Sequence, residues 1–357
     1  FGSGGCMALM IVGYGLRDSI GDIAHLQFEQ LQVYDGMVIL DTDADEDSMK
    51  ELMAGIGSHA HVRNSSKALM KKVNVHKDKK LWNIYITVPA ELEKAGEFFI
   101  FRDRVSGETY ELNDEGAILT EKIASMMGIR AGDTIEIEDE DLGIIRVPVA
   151  CITENYLSHY IYMTPALYEA CAGTGPEYNE VLFQVTPDTE DLEAVGQEFL
   201  RYDAALSISY SRTTMSQLDT MLSTLDSVMI VLIAAAGLLA FVVLYNLNNI
   251  NINERKRELA TIKVLGFYNN EVDAYVYREN ILITIIGIGV GAGLGKLLHR
   301  FIITTVEVDA TMFSRNINLP SYVISAAFTV VFSVIVNGFM HFKLKKIDMV
   351  ESLKSVE

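Results

Sequence analysis

Long uncharged stretches crowd the last third of the chain, and they constrain its fold more than any other feature. Residues 228–245 and 320–340 contain no charged side chain, and residues 281–295 contain none before Lys296. A helix needs roughly 20 apolar residues to cross about 30 Å of hydrocarbon. The first and last stretches are therefore predicted to be clear membrane spans. The middle one is short and is predicted to complete its crossing with basic side chains that snorkel.

The first sixteen residues are also uncharged and rich in small side chains. They lack the basic start and the small-residue cleavage site of a secretory signal. We therefore expect residues 1–16 to be the outer end of a truncated first membrane helix.

Basic residues are unequally distributed among the loops. Five lysines and arginines lie between the first two complete spans and four lysines follow the last one, whereas residues 304–319 contain Arg315 alone. Because basic residues beside short loops mark the cytoplasmic side, residues 249–279 and 342–357 are predicted to be cytoplasmic. The large segment before the spans is then extracytoplasmic.

Acidic residues are concentrated in that large segment. The chain before residue 228 carries a net charge of −21 and the remainder carries +2. Nucleic acids require a basic face, so we exclude them as partners. A soluble, self-repelling exterior is favoured over an acidic patch that steers a ligand.

Strand and helix patterns alternate through the large segment. Period-two runs rich in aromatic and β-branched residues predict strands, and helical periods predict the helices between them. Strands are predicted at 81–88, 98–102, 134–138, 144–152, 181–186 and 205–210, and helices at 47–54, 120–127, 165–172 and 189–201. The expected fold class is a membrane protein of all-α transmembrane helices, three complete and one truncated, with an inserted α+β extracytoplasmic domain on a helical stalk.

The predicted domain order follows from these patterns. It comprises the truncated helix at 1–16, stalk helices at 17–36 and 212–227, the α+β domain at 37–211, membrane helices at 228–248, 280–303 and 320–341, an extracytoplasmic loop at 304–319, and the two cytoplasmic segments.

Residues that could carry chemistry are poorly arranged for it. His59 and His61 lack a cysteine or carboxylate at ligand spacing, and the acidic run 43–47 lacks the glycine and terminal glutamate of a calcium loop. Cys151 and Cys171 are the external candidates for a disulfide, and their spacing leaves the pairing open. We expect no catalytic residue, no metal site and no bound cofactor in this chain.

A heptad pattern precedes the first complete span. Met215, Leu218, Leu222, Leu225 and Met229 recur at alternating steps of three and four and predict a stalk helix that continues into the membrane. A matching seam follows residue 16. The two helices are expected either to carry force or simply to pack as a pair.

A short charged segment, residues 254–266, joins the first two complete spans. Asn253 is predicted to be the N-cap of a helix in this segment and Gly266 the C′ residue just past its end, and Asn269 or Asn270 is predicted to cap the next helix. Periodicity leaves two roles open for such an amphipathic helix, which are docking into a partner's groove and lying on anionic lipid.

The residues of this segment form a recognisable pattern. It reads Asn253-x-Arg255-Lys256-Arg257-Glu258-Leu259-Ala260-Thr261-Ile262-Lys263-Val264-Leu265-Gly266-Phe267, followed by Asn270-Glu271-Val272 and Glu279. The pattern resembles the signature of the FtsX-like (MacB/LolC-type) permeases of ATP-binding-cassette systems. Residues 118–135 resemble the extracytoplasmic core domain of that family. Residues 6–19, 34–35 and 154–163 resemble the C-terminal module of long two-module permeases from Gram-positive bacteria.

The resemblance implies partners and a division of labour. A coupling helix would sit on a separate ATPase subunit, and the residues that inherit this role are Glu254, Arg255, Lys256, Arg257, Glu258, Leu259, Ile262, Lys263 and Gly266. ATP and Mg would be bound by that ATPase and not by this chain, which is expected to be a non-catalytic subunit. A second permease module or copy, the lipid bilayer and a cargo or envelope protein are the other expected partners, in a bacterial plasma membrane.

Two functions are open at this point. A permease would use ATP hydrolysis to move the extracytoplasmic domain and so export or extract a lipophilic, peptide or lipoprotein cargo. A signal transmitter would instead sense an envelope ligand or regulate a cell-wall hydrolase.

Alternate glycines occur between residues 287 and 295, before Lys296. A phosphate-binding Walker motif requires serine or threonine after the lysine, where this chain has Leu297. The four-residue spacing of Gly287, Gly291 and Gly295 instead predicts close helix packing in lipid.

Overall fold

The computed structural model describes residues 2–254, 258, 261–262 and 265–345. The chain divides into two compact units. A helical unit is drawn from Phe1–Gly21, Met221–Val306 and Phe313–Glu357, and an α+β unit comprises Asp22–Thr220 and Glu307–Met312. The short segment Glu307–Met312 therefore belongs to the α+β unit although helices of the other unit flank it in the sequence.

The described elements follow one another along the chain. They are α1 (Gly2–His25), a π-helical segment (Leu26–Leu31), β1 (Gly36–Leu40), α2 (Glu46–Ser58), β2 (Val62–Lys77), β3 (Lys80–Pro89), α3 (Leu92–Phe98), β4 (Phe101–Arg102), β5 (Thr109–Tyr110), β6 (Ala117–Thr120), α4 (Glu121–Met127), β7 (Thr134–Asp139), β8 (Gly143–Thr153), β9 (Tyr160–Tyr162), α5 (Pro165–Ala172), β10 (Glu180–Val185), α6 (Leu192–Phe199), β11 (Ala205–Tyr210), α7 (Ser211–Glu254), α8 (Asn269–Val306) and α9 (Leu319–Lys345).

One half of the α+β unit is an antiparallel sheet with the strand order β11-β1-β10-β2. Helix α2 follows β1 and α6 follows β10, which gives the split βαβ arrangement of ferredoxin-like folds. The side chains of Asp45 and Asp191 accept hydrogen bonds from the backbone at the starts of α2 and α6. Both helices pack on one face of the sheet, where the buried residues include Val38, Leu52, Ile56, Val181, Phe183, Val195 and Phe199.

The other half of the unit is inserted between β2 and β10. Strand β2 pairs with β3 on one side and with β7 on the other. The neighbours β3-β9-β6-β8-β7 then return to β2 and close a barrel, which removes the open sheet edges. Its interior includes Val73, Val75, Ile84, Ile86, Ile135, Ile137, Ile145, Val147 and Val149. The predicted α+β class is confirmed.

Two helices are long and apolar enough to cross a membrane. These candidate spans are Ile281–Val306 within α8 and Leu319–Phe339 within α9, each with a mean hydropathy of 2.1. A shorter apolar stretch, Ile233–Val243, lies within α7. The described residues therefore show two candidate spans, and not the three complete spans and truncated fourth that the sequence predicted. The stretch that begins at residue 281, which is short up to Lys296, is one of the two candidate spans. Apolar residues beyond Lys296 and Arg300 extend it to Val306.

Helix boundaries differ from the predicted ones around the charged segment. Asn253 lies inside α7, so its predicted role as an N-cap, which needs an extended backbone, is wrong. The chain stays helical there because residues 245–254 contain no glycine or proline to end the helix. Helix α8 begins at Asn269, so the residue at its capping position is Tyr268 and not Asn269 or Asn270 as predicted. The Tyr268 amide donates a 2.8 Å hydrogen bond to Glu271 Oε2.

Candidate functional site

Helices α1 and α8 approach each other at glycine residues. A Cβ atom built on Gly291 would lie 2.5 Å from the Gly4 carbonyl oxygen and 2.6 Å from Met7 Cβ. A Cβ atom on Gly287 would overlap Ser3 Oγ, and one on Gly295 would lie 2.9 Å from Ile11 Cβ. The backbones come this close because these positions of α8 have no side chain. Among the described residues, no atom lies within 4 Å of a Cβ built on Gly289 or Gly293.

Small and polar side chains join the other helices of the helical unit. Cys6 and Met10 of α1 form a buried cluster with Ala236 of α7, and Ile233 and Phe332 pack against it. The hydroxyl groups of Thr284 in α8 and Ser333 in α9 lie 2.9 Å apart. These contacts bring residues from α1, α7, α8 and α9 into one packed unit.

A buried histidine lies at the C-terminal half of α8. His299 is 1% exposed, and its Nε2 lies 3.0 Å from Ser19 Oγ. Ser19 Oγ also donates to the Asn316 carbonyl oxygen at 3.2 Å. The sequence reasoning missed His299, although a histidine inside an apolar helix is a signal for a buried polar contact. His299 joins α8 to α1, and Ser19 links both helices to the segment before α9.

The segment between α7 and α8 is described in part. Glu254 and Glu258 are exposed, and Ile262 is half-buried. Gly266 has a φ of 99°, in the left-handed region that glycine tolerates, and it forms a turn before α8. Arg255, Lys256, Arg257, Leu259 and Lys263 lie outside the described residues.

Exposed apolar side chains flank this turn. Leu265, Phe267 and Tyr268 are all exposed to solvent. Sequence reasoning included Leu265 and Phe267 in the family pattern but assigned Tyr268 no role, although two adjacent aromatic residues in a turn are an available signal for a contact surface.

The predicted stalk residues lie in α7. Met215 and Leu218 are half-buried, while the side chains of Leu222, Leu225 and Met229 are outside the described part of the chain. Helix α7 is anchored at its start, because the Ser211 amide donates to the Asp35 carbonyl at 3.0 Å and Ser211 Oγ donates to the Tyr34 carbonyl at 2.7 Å.

Residues of the α+β unit that could bind a metal have other contacts. His59 Nε2 lies 3.2 Å from Glu198 Oε2, and His59 Nδ1 accepts from the His61 amide at 3.2 Å. Within the described ranges, no group of three or more histidine, cysteine or acidic side chains is arranged to hold a metal ion. Cys151 and Cys171 are both free thiols.

Burial shifts the pKa of several polar groups in the α+β unit. Desolvation raises the pKa of Glu180 to about 7 and that of Tyr160 to about 12. Burial also acts to raise the pKa of Asp139, but Lys71 Nζ at 2.8 Å and the amides of Asp141 and Leu142 lower it below its usual value. Each of these shifts follows from the burial and the contacts of the group itself.

The family comparison bears on the helical unit. Residues 230–348 match the model described as FtsX-like permease C-terminal. This part of the chain is similar to the C-terminal region of FtsX-like permeases. The predicted resemblance to that family is thereby confirmed, and the FtsX-like region contains both candidate spans and the charged segment between α7 and α8.

Three solved structures are similar to part of this chain. The periplasmic region of MacB from Actinobacillus actinomycetemcomitans has a TM-score of 0.33 and 8% identity, over 53% of this chain and 94% of that one. The extracellular domain of the noncanonic ABC-type transporter YknZ from Gram-positive bacteria has a TM-score of 0.31 and 14% identity, over 49% and 98%. A permease-protein domain from Porphyromonas gingivalis has a TM-score of 0.25 and 11% identity, over 50% and 86%. No curated protein matches the chain.

Proposed function

We propose that this chain is a permease module of an ATP-binding-cassette transporter, in which a separate ATPase drives movement of the α+β unit outside the membrane. The observation that carries the proposal is the FtsX-like match over residues 230–348. ATP and Mg would be bound by the separate ATPase.

The segment 254–266 is the proposed docking site for the ATPase. The predicted basic residues Arg255, Lys256 and Arg257 would supply charge complementarity. The exposed side chains of Leu265, Phe267 and Tyr268 add an apolar surface at the C-terminal end of the segment. A partner that covers these side chains would gain the aromatic burial that stabilises protein interfaces.

Two helices connect directly to the α+β unit and would transmit the movement. Helix α7 runs from Ser211, next to β11, to Glu254 at the docking segment. The chain after α1 is anchored by Gln27, whose Nε2 donates to Asn155 Oδ1 at 2.9 Å and whose Oε1 accepts from the Tyr156 amide at 2.8 Å. Displacement of either helix would therefore act on a hydrogen-bonded part of the α+β unit.

The polar groups of α9 argue against an ion pathway along this helix. The candidate span Leu319–Phe339 has no charged residue. Its buried polar side chains are hydroxyl groups, of which Ser325 and Thr329 donate to carbonyls one turn earlier. Ion pathways usually carry midplane charges, so we favour a lipophilic, peptide or lipoprotein cargo handled through the α+β unit.

Charge reversal at the docking segment tests the proposal. We expect the triple substitution Arg255→Glu, Lys256→Glu and Arg257→Glu to reduce the ATPase activity that co-purifies with the full-length chain by about tenfold or more, because like charges at an interface cost several kcal/mol. Transport by the intact complex should fall in parallel. The measurement is ATP hydrolysis per mole of permease after purification from the native host.

A matched control has the same change in charge on the α+β unit. Lys50→Glu, Lys94→Glu and Arg146→Glu alter exposed side chains there and should leave the co-purified ATPase activity unchanged. Wild-type ATPase retention by the triple variant of the docking segment would contradict the proposal. If the wild-type chain retains the ATPase but the complex moves no cargo, the signal transmitter is favoured instead.

A further inference from the structure

Lysines crowd the hairpin formed by β2 and β3, although the surrounding unit is strongly acidic. Six lysines lie between residues 67 and 80. Lys71 Nζ bonds to Asp139 and Asp141 at 2.8 Å each, and Lys77 Nζ donates to the Met127 carbonyl at 2.7 Å. Those two lysines have structural roles. Lys79 and Lys80, at the turn of the hairpin, are exposed.

Apolar and aromatic groups adjoin the two exposed lysines. Leu81 is 52% exposed. Trp82 is the only tryptophan of the chain, is half-buried against the barrel core, and has Lys80 Nζ 6.0 Å from its ring centroid. Lysine, an exposed aliphatic residue and tryptophan together are the side chains that proteins place at a membrane–water interface.

The segment Glu307–Met312 is bound to the same part of the α+β unit. Glu307 Oε2 pairs with Lys122 Nζ at 2.7 Å, and the side chain of Glu307 is 5% exposed. Trp82 Nε1 donates to Asp309 Oδ2 at 3.3 Å. Backbone hydrogen bonds add to these contacts, from the Ser158 amide to the Ala310 carbonyl and from the Met312 amide to the Tyr156 carbonyl, both at 2.9 Å.

Chain length then limits the distance of the hairpin from the membrane. The candidate span of α8 ends at Val306, and Asp309 follows three residues later. A fully extended residue spans at most about 3.6 Å, so the Cα atom of Asp309 lies within about 11 Å of the end of the span. The polar region of each leaflet is roughly 5–8 Å thick. The Trp82 indole, which is hydrogen-bonded to Asp309, is therefore tethered within reach of the lipid headgroups.

We propose that the hairpin tip formed by Lys79, Lys80, Leu81 and Trp82 is a membrane-contact surface for anionic, phosphate-bearing lipid headgroups. The lysines would bind the phosphates while Leu81 and the indole ring enter the interface. Charge complementarity supports this occupant, since the chain before residue 228 carries −21 and an anionic leaflet would repel it elsewhere. The contact sets how the α+β unit meets the leaflet. It requires a membrane-embedded chain but does not depend on ATPase docking.

The single tryptophan makes the test specific. The full-length chain is reconstituted in nanodiscs of phosphatidylcholine, with or without phosphatidylglycerol, and Trp82 fluorescence is quenched by lipid that carries a nitroxide on its headgroup. We expect quenching in both discs, stronger with phosphatidylglycerol. The double substitution Lys79→Glu and Lys80→Glu should reduce the quenching in phosphatidylglycerol discs by about half, because each lysine contributes to binding of an anionic surface. High salt should reduce it in wild type.

The control is the pair Lys50→Glu and Lys94→Glu, which applies the same change in charge to exposed residues of α2 and α3. This control should keep the wild-type quenching. Trp82 emission in discs without labelled lipid verifies that each variant is folded. Absence of quenching by labelled lipid, or equal quenching in the hairpin variant and wild type, would overturn the proposal. So would binding of a soluble polyanion that shifts Trp82 emission without any lipid quenching.

Discussion

Substitution of alanine for Gly291 is expected to destabilise the helical unit by about 1–3 kcal/mol, the usual cost of inserting a methyl group into a packed interface. The added Cβ would lie 2.5 Å from the Gly4 carbonyl oxygen, which is backbone and cannot rotate away. Helix α1 would have to move from α8 along the contact that also includes Gly287 and Gly295. The expected result is a lower midpoint of thermal unfolding for the full-length chain in detergent, read as loss of the folded monomer on size exclusion after heating.

Gly293 provides the matched control on the same helix. Among the described residues, no atom lies within 4 Å of a Cβ at this position. Gly293→Ala should therefore be neutral or stabilising, because alanine favours helix over glycine by about 1 kcal/mol. An unfolding midpoint for Gly291→Ala at or above that of Gly293→Ala would show that the close contact between α1 and α8 does not exist in the membrane protein.

Substitution of glutamine for Glu180 is expected to stabilise the α+β unit at neutral and alkaline pH. Glu180 is 8% exposed, and its Oε2 atom has no hydrogen-bond partner among the described residues. Desolvation raises the pKa of its carboxyl group to about 7, from an ordinary value of 4.5. The folded chain therefore keeps this carboxyl neutral over a pH range in which the unfolded chain ionises it.

The sign of the pH dependence follows from that difference. Below about pH 4.5 the carboxyl is protonated in both states, and between about 4.5 and 7 unfolding releases a proton, so the free energy of unfolding falls as pH rises. A shift of one in pKa corresponds to about 1.4 kcal/mol. The free energy of unfolding of the wild-type α+β unit should therefore fall by about 3 kcal/mol by pH 7. Near pH 5 the free energy of unfolding of Glu180→Gln should be close to that of wild type. Near pH 8 the variant should be more stable than wild type by about 3 kcal/mol.

Urea unfolding of the full-length chain, followed by Trp82 fluorescence, measures this effect near pH 5 and near pH 8. Glu177→Gln is the control, because Glu177 is exposed and lies only three residues earlier. Equal pH dependence in wild type and Glu180→Gln would show that the carboxyl of Glu180 is not desolvated as the structure indicates.

Local signals predicted several elements of the α+β unit well. Helix α5 begins and ends where the sequence placed it, because Thr164 Oγ1 accepts from the Leu167 amide at 3.0 Å, Pro165 occupies the first turn, and Gly173 adopts a left-handed conformation after the last turn. Strand β11 also has its predicted bounds. Such elements are specified within a few residues of sequence, so a single chain is enough to locate them.

Strand β2 shows where local patterns fail. Its sixteen residues include four lysines and one arginine and carry no clean alternation, because one part of the strand is in the ferredoxin-like sheet and another is in the barrel. The predicted strand at 98–102 is wrong in its first part for a related reason, since Phe98 ends α3 and its side chain packs in a buried aromatic cluster. These assignments depend on partners far away in the sequence.

The candidate sites divide in the same way. The charged segment 254–266 was located by its pattern alone, and the FtsX-like match covers it. The sequence could not name the partners in the contact of Trp82 with Asp309 or of His299 with Ser19, and the exposure of Phe267 and Tyr268 was not predicted from the aromatic pair. Each depends on where a distant part of the chain is placed.

By itself the sequence determined that this chain has candidate membrane-crossing helices and an acidic α+β unit, because hydrocarbon demands long uncharged helices whose backbone groups bond internally. Only the tertiary structure decided that β2 closes a barrel with β7, that Gly291 faces α1 while Gly293 does not, and that Glu307–Met312 binds to the α+β unit. The physical reason is the distance along the chain over which each interaction acts. Hydropathy and capping act over one or two helical turns, whereas barrel closure and helix packing join residues that are far apart in the sequence.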